Sequence, residues 1–405
     1  MKILISSLGA GKKKDVKSHM PGEYENAKYQ IENKIYEEQF IARALVKHFE
    51  IEKVFLIGTK RSLWDSVYMS FGGEDAETAL KIYDLIYKNE LEEKDLKVVE
   101  EQIDKHLGTT GSRCLIISYG VNEEELWDNF FKFLSVADFI ENGDEIYLDI
   151  THSFRSLSLM SFVMIDFLKL IKEKDVDIKG IYYGMFEYKS ENNGISPVVD
   201  LRMFYDLMQW IIAINELKKY GNGNNIYKLL IKTTKRYKNI ENIANIFKNF
   251  SSSINIGDMN NIRQSIRYIK SKLSEVDNIP HPIAKLMIPE LKRFISQLDK
   301  NTVSEFQFEL AKWFRDHEFY ALSYMALVES IVSKKCEEEN KNITNEEDRN
   351  EIRKELRKNL STFRHINKIR NNIAHLNYYS PRDNSDKKIA KLNEYINWVT
   401  REFFS

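Results

Sequence analysis

DEIYLDITHSFRS, residues 144–156, begins as an apolar run and ends in a cluster of hydroxyl, imidazole and guanidinium groups. Ile146, Tyr147, Leu148 and Ile150 are apolar on both sides of a strand period, the pattern of a strand covered on both faces. From about Phe154 to Lys172 the pattern turns helical, so a buried strand hands over to a helix. The alternation recurs upstream in KILISSLG (2–9), a helical stretch from about Tyr29 to Phe49, EKVFLIGT (52–59), RCLIISYG (113–120) and the helix ELWDNFFKFLSVADFI (125–140). Downstream comes IKGIYYGMFEY (178–188), with which SPVVDLR (196–202) can pair as an edge hairpin. Strands separated by helices predict a mostly parallel, Rossmann-like α/β sheet, with ligands at the carboxyl ends of its strands.

After about Leu201 the strand signals stop. MFYDLMQWIIAINELKKY reads as a helix ended by GNGNN (221–225). Residues 226–300 keep helical spacing, with interruptions expected at SSS (251–253) and at the prolines 280, 282 and 289. A helix is predicted from about Val303 to Lys335, and the polar run 337–351 reads as a solvated linker or helix extension. The last helices are expected over roughly 352–378 and 386–403. The fold class is thus α/β plus all-α, divided as 1–203, a helical connecting region 204–300, and 301–405.

Composition narrows the function. No apolar run is long enough to span a bilayer, no cleavable leader is legible, and Cys114 and Cys336 lie outside any CxxC spacing. The expectation is a cytoplasmic protein without membrane, disulfide or metal site. The net charge of −1 conceals a split: residues 1–200 carry 25 Lys+Arg against 36 Asp+Glu, and residues 201–405 carry 35 against 25. A long polyanion suits the basic half, although skewed surface composition alone produces the same numbers.

GAGKKKD (9–15) invites a phosphate-loop reading and fails it. Ser6 stands where a Walker A loop needs its first glycine, Lys13 where it needs Ser or Thr, and Lys14 where a dinucleotide motif needs its third glycine. What remains is a turn at Ser7 and Gly9 with backbone N–H groups available to an anion. The loop after the strand at 144–151 offers more: Asp149, Thr151, His152, Ser153 and Arg155 either cap the next helix or hold an anionic guest there. GTKRS (58–62) adds Thr59, Lys60 and Arg61 on the same rim.

D-x-T-H followed by a small residue, after such a strand, resembles the signature of the CRISPR-associated DxTHG-motif family, with Ser153 in place of the family's glycine. The resemblance extends over YQIENKIYEEQFIARAL (29–45), FLIGTKRSLWD (55–65) and IYYGMFEY (181–188), most of the first 200 residues. It implies a CARF domain over 1–203 that senses a cyclic oligoadenylate, cyclic tetra-adenylate by analogy. It also implies an effector domain that is often HEPN, here over 301–405.

RNNIAH (370–375) lies in a segment whose Phe363, Ile366, Ile369, Ile373 and Leu376 share one broad side of a helix. Asn371 and His375 point away from that side and close together, either as an exposed polar face or as working residues. His365 projects near the apolar side and reads as structural, while Glu329 and Arg364 can support the site. The spacing resembles the R-[NHK]-x3-H motif of HEPN ribonucleases. That resemblance implies metal-independent cleavage of single-stranded RNA to 2′,3′-cyclic phosphates, with Arg370 on the scissile phosphate, Asn371 orienting and His375 as acid or base. Arg370 and His375 are about 140° apart on one helix. The family's answer is a homodimer or higher even oligomer with facing motifs. Two alternatives stand beside this: a regulatory protein whose HEPN-like half is inactive, and a CARF domain that also degrades its activator through Thr151, His152 or Lys60.

Overall fold

The computed structural model describes residues 1–9, 26–152, 155–171, 173–233, 240–277, 282–375 and 385–405, with the backbone alone at 155–157, 170–171, 233, 273–277 and 282–288. The chain divides into two compact units, Met1–Asp206 and Leu207–Ser405.

The first unit is built on one eight-stranded sheet, ordered β3-β2-β8-β7-β6-β1-β4-β5. The strands are β1 (Lys2–Leu8), β2 (Ala27–Ile31), β3 (Lys34–Glu38), β4 (Lys53–Gly58), β5 (Arg113–Ile116), β6 (Glu145–Asp149), β7 (Asp177–Gly184) and β8 (Ile195–Asp200). β1, β4, β5, β6 and β7 run parallel, whereas β2–β3 and β7–β8 pair antiparallel. The continuous apolar strands have a simple cause. Leu4, Val54, Leu56, Tyr147 and Tyr182 enter the core on one face, and Ile3, Ile5, Phe55, Ile57, Ile146, Leu148 and Ile181 enter the other. With both faces buried, the central strands β1, β4 and β6 keep no exposed position. Helices α1 (Ile41–Phe49), α2 (Trp64–Ser70), α3 (Ala76–Lys88) and α4 (Lys97–Leu107) cover the first face. Helices α5 (Glu123–Ser135) and α6 (Arg155–Asp166) cover the second.

Two expectations are corrected here. The stretch from Tyr29 to Phe49 is not one helix, because β2 and β3 form a hairpin that turns at Glu32 (φ 52°) before α1 begins. Ala27, Tyr29 and Ile31 are buried around exposed Lys28 and half-buried Gln30, a period of two that overrides the helix-forming glutamates. Because β2 then pairs with β8, the 196–202 segment lies inside the sheet, and β3 is the edge.

The second unit is helical: α7 (Arg202–Tyr220, which spans the division), α8 (Asn224–Thr233), α9 (Ile240–Ile256), α10 (Met259–Asp277), α11 (Pro282–Leu298), α12 (Val303–Asp316), α13 (Tyr320–Glu338), α14 (Glu346–Asn359), α15 (Ser361–Ala374) and α16 (Ser385–Phe403). One core joins Trp210, Phe247, Phe294, Trp313, Tyr324, Phe363 and Val399, so helices from both 204–300 and 301–405 share it. GNGNN ends α7, with Gly221 at φ +63°. Ser251, Ser252 and Ser253 do not interrupt α9. Their hydroxyls donate to the carbonyls of Phe247, Lys248 and Asn249 four residues back, which satisfies them inside the helix. Pro289 likewise lies within α11, and Pro282 opens it, where a missing N–H costs nothing. The helix expected from Val303 to Lys335 breaks at Glu318, which takes φ 65° while the Phe319 N–H donates to Phe314 O. The 352–378 helix is likewise two, parted at Leu360.

Close packing at the end of β4 supplies a test. A Cβ on Gly58 would lie 2.8 Å from Ser62 Oγ and from the Trp64 ring, both buried. Gly58→Ala is expected to lower the urea unfolding free energy by about 1–3 kcal/mol, the usual cost of overpacking.

Candidate functional site

The carboxyl ends of three adjacent parallel strands, β7, β6 and β1, open onto a cavity of about 460 Å³. Gly9 follows β1, Thr151 and His152 follow β6, and Gly184 ends β7; all four line it. Its walls include Phe40, where β3 hands over to α1, and Tyr183, Phe186, Glu187 and Lys189 around the end of β7. This is the place where an open α/β sheet binds ligands, because the loops that leave the strands converge there.

The loop after β6 is fixed by one carboxylate. Asp149 is 1% exposed, and accepts from Ser6 Oγ at 2.5 Å and from the Thr151 N–H at 2.9 Å. Thr151 Oγ1 in turn accepts from the Gly184 N–H at 2.8 Å, so β1, β6 and β7 are tied together at their carboxyl ends. Burial raises the Asp149 carboxyl above the ordinary range, against the pull of the Ser6 and Thr151 hydrogen bonds. His152 packs under Gly9, where a Cβ would lie 3.2 Å from His152 Cβ, and its ring centre is 5.9 Å from that of Phe186. Lys189 Nζ stands 5.1 Å from the Phe186 ring centre, and Tyr183 Oη donates to Glu187 at 3.1 Å. Aromatic surface and a cation thus share one cavity.

The expected ligand residues divide. Gly9, Thr151 and His152 line the cavity, and Asp149 braces it from beneath. Ser7 is buried in β1 away from the lining. Thr59 is also buried, its N–H donating to Ser62 Oγ, its carbonyl accepting from Trp64 Nε1 and its Oγ1 from the Arg61 N–H. Lys60 and Arg61 are exposed and do not line the cavity. Ser153 and the side chain of Arg155 lie outside the described residues. Phe186, Glu187 and Lys189 were not read as site residues, although IYYGMFEY carried the signal as the segment leaving a parallel strand.

In the second unit RNNIAH ends α15. The helix stops at Ala374, and His375 is its exposed cap residue (φ −92°, ψ 4°), with its N–H donating to Asn371 O at 2.9 Å. Phe363 and Ile366 bury the opposite side, with Ile369 and Ile373 packed beside them; Leu376 lies outside the described residues. His365 is exposed, which corrects its structural reading: it lies about 100° around the helix from the nearer edge of the buried arc that Phe363, Ile366 and Asn367 define. Arg370 is half-buried, donating through Nη1 to Asn371 Oδ1 at 3.0 Å and through Nη2 to Glu329 Oε1 at 3.3 Å. Its Nε is buried without a partner. Glu329 also receives Arg349 and Arg353 from α14, so one carboxylate of α13 faces three guanidiniums. Among the described residues no hydrogen bond joins Arg370 to His375, and no group of three or more His, Cys, Asp or Glu could hold a metal ion. No helix among them is long and apolar enough to cross a membrane.

Asp149→Ala is expected to strand the Thr151 N–H and lower stability by about 1–3 kcal/mol in urea unfolding. Asp149→Asn keeps both bonds once the Ser6 hydroxyl turns to accept. Since burial raises the folded-state pKa of Asp149, its ionisation opposes folding. The stability of the native protein relative to Asp149→Asn should therefore fall as pH rises from the unfolded value of about 3.9 through the raised folded one.

Comparison with known proteins adds the family. Residues 3–187 match the family described as CRISPR system endoribonuclease Csx1, CARF domain, and residues 206–304 match CRISPR-associated protein MJ1674, second domain. The CRISPR-associated protein MJ1674 of Methanocaldococcus jannaschii is 36% identical over 356 residues, 83% of this chain and 54% of that protein. The chain therefore spans about half the length of this curated relative. Enterococcus italicus Csm6, solved bound to cyclic hexa-2'-fluoro-hexa-dAMP, aligns over 100% of this chain and 94% of its own at 12% identity and a TM-score of 0.41, a likeness too slight to carry an argument. With a parallel-sheet unit matched as a CARF domain and a helical unit that opens on an MJ1674-type second domain, the chain is a CRISPR-associated, CARF-containing protein.

Proposed function

We infer that the protein senses a cyclic oligoadenylate with its first unit and cleaves single-stranded RNA with its second, without metal, in type III CRISPR defence in the cytoplasm. The observation that carries this reading is the end of α15. A half-buried arginine oriented by Glu329 and Asn371 lies five residues before the exposed histidine that caps the helix, in a basic helical unit of a CARF protein.

The first unit supports the sensing half. A cavity with the aromatic face of Phe186, the ring of His152 and the ammonium of Lys189 suits a ligand made of bases and phosphates. Cyclic tetra-adenylate is the proposed activator. The ligand can drive a change only through its differential affinity for the resting and active states.

The second unit supports the cleaving half. A base removes the 2′-hydroxyl proton as 2′-O bonds to phosphorus, the P–O5′ bond breaks, and an acid protonates the leaving 5′-oxygen. The products are a 2′,3′-cyclic phosphate and a 5′-hydroxyl. His375 is assigned to proton transfer and Arg370 to the charge on the phosphate, with Asn371 fixing the guanidinium. Because no hydrogen bond joins Arg370 and His375 within one chain, the site is proposed to be composite, formed by two copies. Exposed Trp127 and Phe131 on α5, stacked at 6.0 Å, and exposed Leu159 and Val163 on α6 support self-association through the first unit. A second reading, a regulator with an inactive helical half, is favoured by the engagement of Arg370 with Glu329.

His375→Ala is expected to cut activated RNA cleavage by about 10²- to 10⁴-fold without changing activator binding. Unchanged cleavage contradicts the assignment, and full activity from a strict monomer contradicts the composite site. Phe186→Ala is expected to weaken activator binding, read by calorimetry, and to leave the maximal cleavage rate intact at saturation.

A further inference from the structure

The exposed side of α15 carries more than the motif. Successive residues turn by about 100°, so Arg364, Lys368, Asn371 and His375 fall within an arc of about 60° along a line of about 16 Å. Arg364, Lys368 and His375 are exposed, and Asn371 is half-buried. At the start of this line Arg364 donates through Nε to Arg357 O at 2.8 Å and through Nη2 to Lys358 O at 3.2 Å, which ties the start of α15 to the last turn of α14, where Arg357 and Lys358 are exposed and Arg357 Nε donates to Arg353 O at 3.2 Å. α15 contains no Asp or Glu. Among the described residues Arg357, Lys358, Arg364 and Lys368 have no carboxylate partner, in contrast to Arg349, Arg353 and Arg370, which Glu329 engages. Arg357 and Lys358 are in the last turn of α14, where the helix dipole favours cations, and Arg364 caps that turn. Lys368 has no such account: among the described residues it caps nothing and pairs with nothing, and it lies on the line between Arg364 and His375.

We propose that this stripe is the substrate track, on which the phosphates of single-stranded RNA flanking the scissile one are held by Lys368 and then by the Arg364, Arg357 and Lys358 corner. The inference rests on the proposed ribonuclease activity and extends it to how the substrate is held. A line of uncompensated cations that ends at the proposed proton-transfer residue complements a polyanion threaded along it. Two copies of the stripe repel one another across a two-fold axis, whereas a polyanion between them is attracted by both.

The test uses the full chain carrying His375→Ala, titrated with a fluorescein-labelled single-stranded oligouridine across a KCl series, with and without cyclic tetra-adenylate. Each lost phosphate contact lowers the log–log salt slope by about 0.7 for a single strand. Arg364→Gln with Lys368→Gln should lower it by about 1.4, and Lys368→Gln alone, which breaks no described contact, by about 0.7. Lys387→Gln with Lys391→Gln on α16 should leave the slope unchanged. In the His375 protein, Lys368→Gln should raise KM for RNA and leave kcat unaltered. Equal slopes in parent and stripe variants, an equal fall in the α16 control, or no binding by the parent overturns the track. If cleavage requires His375 while the slopes stay equal, only the track fails; if cleavage survives His375→Ala, the ribonuclease reading fails whatever the slopes.

Discussion

A carboxylate taken out of water must be matched bond for bond, and Asp149 meets that demand at the point on which the cavity of the first unit depends. Its oxygens hold Ser6 of β1 and the Thr151 N–H after β6, and Thr151 passes the link to Gly184 of β7. Three parallel strands therefore end in fixed register, and the loops that leave them have one floor to form a cavity on. The arrangement explains why hydroxyls occupy these strand ends. An unbonded acid at 1% exposure is costly, and burial still holds the Asp149 pKa above the ordinary carboxyl range despite these hydrogen bonds.

Glu329 solves the reverse problem in the helical unit. Three half-buried guanidiniums, from Arg349, Arg353 and Arg370, would repel one another without it, and one carboxylate cannot neutralise all three. A surplus positive charge therefore stays where Arg349, Arg353 and Arg370 meet Glu329. Breaking a half-buried pair costs more than its making contributes. Glu329 is therefore a fixed post for Arg370, and Asn371 sets the guanidinium's angle. The geometric difficulty of the motif therefore stands within one chain: the helix does not point Arg370 at His375, and the long arginine side chain reaches to Glu329 instead.

Much of this was legible in the sequence, for stated reasons. The parallel strands announced themselves because burial on both faces leaves them apolar throughout, and the loop after β6 because strand ends in such sheets carry chemistry. The hairpin of β2 and β3 was hidden by glutamates that suit a helix, and its alternation becomes decisive only once β8 is available to pair. SSS within α9 failed as a breaker because hydroxyls can bond back to the helix. Lys60 and Arg61 read as anion donors from their charge, yet the buried bonds of Thr59 and Ser62 brace the turn while both cations stay exposed beyond the cavity lining. Phe186 and Lys189 were missed because their role depends on which loops converge, and spacing along the chain does not encode that. At α15 the helical wheel placed Asn371 and His375 correctly on the polar side; Glu329, on the long helix α13, reads as a support, and the structure adds that it holds Arg370.

The central claim is that occupancy of the CARF cavity switches on a metal-independent RNA cleavage at α15. It is tested most directly by incubating the protein with single-stranded RNA and a panel of cyclic oligoadenylates of different ring size, in the presence of a metal chelator. The account predicts cleavage with one ring size, a 2′,3′-cyclic phosphate at the new ends, and none without activator. Cleavage that is indifferent to every ring, or absent with all of them, would contradict it.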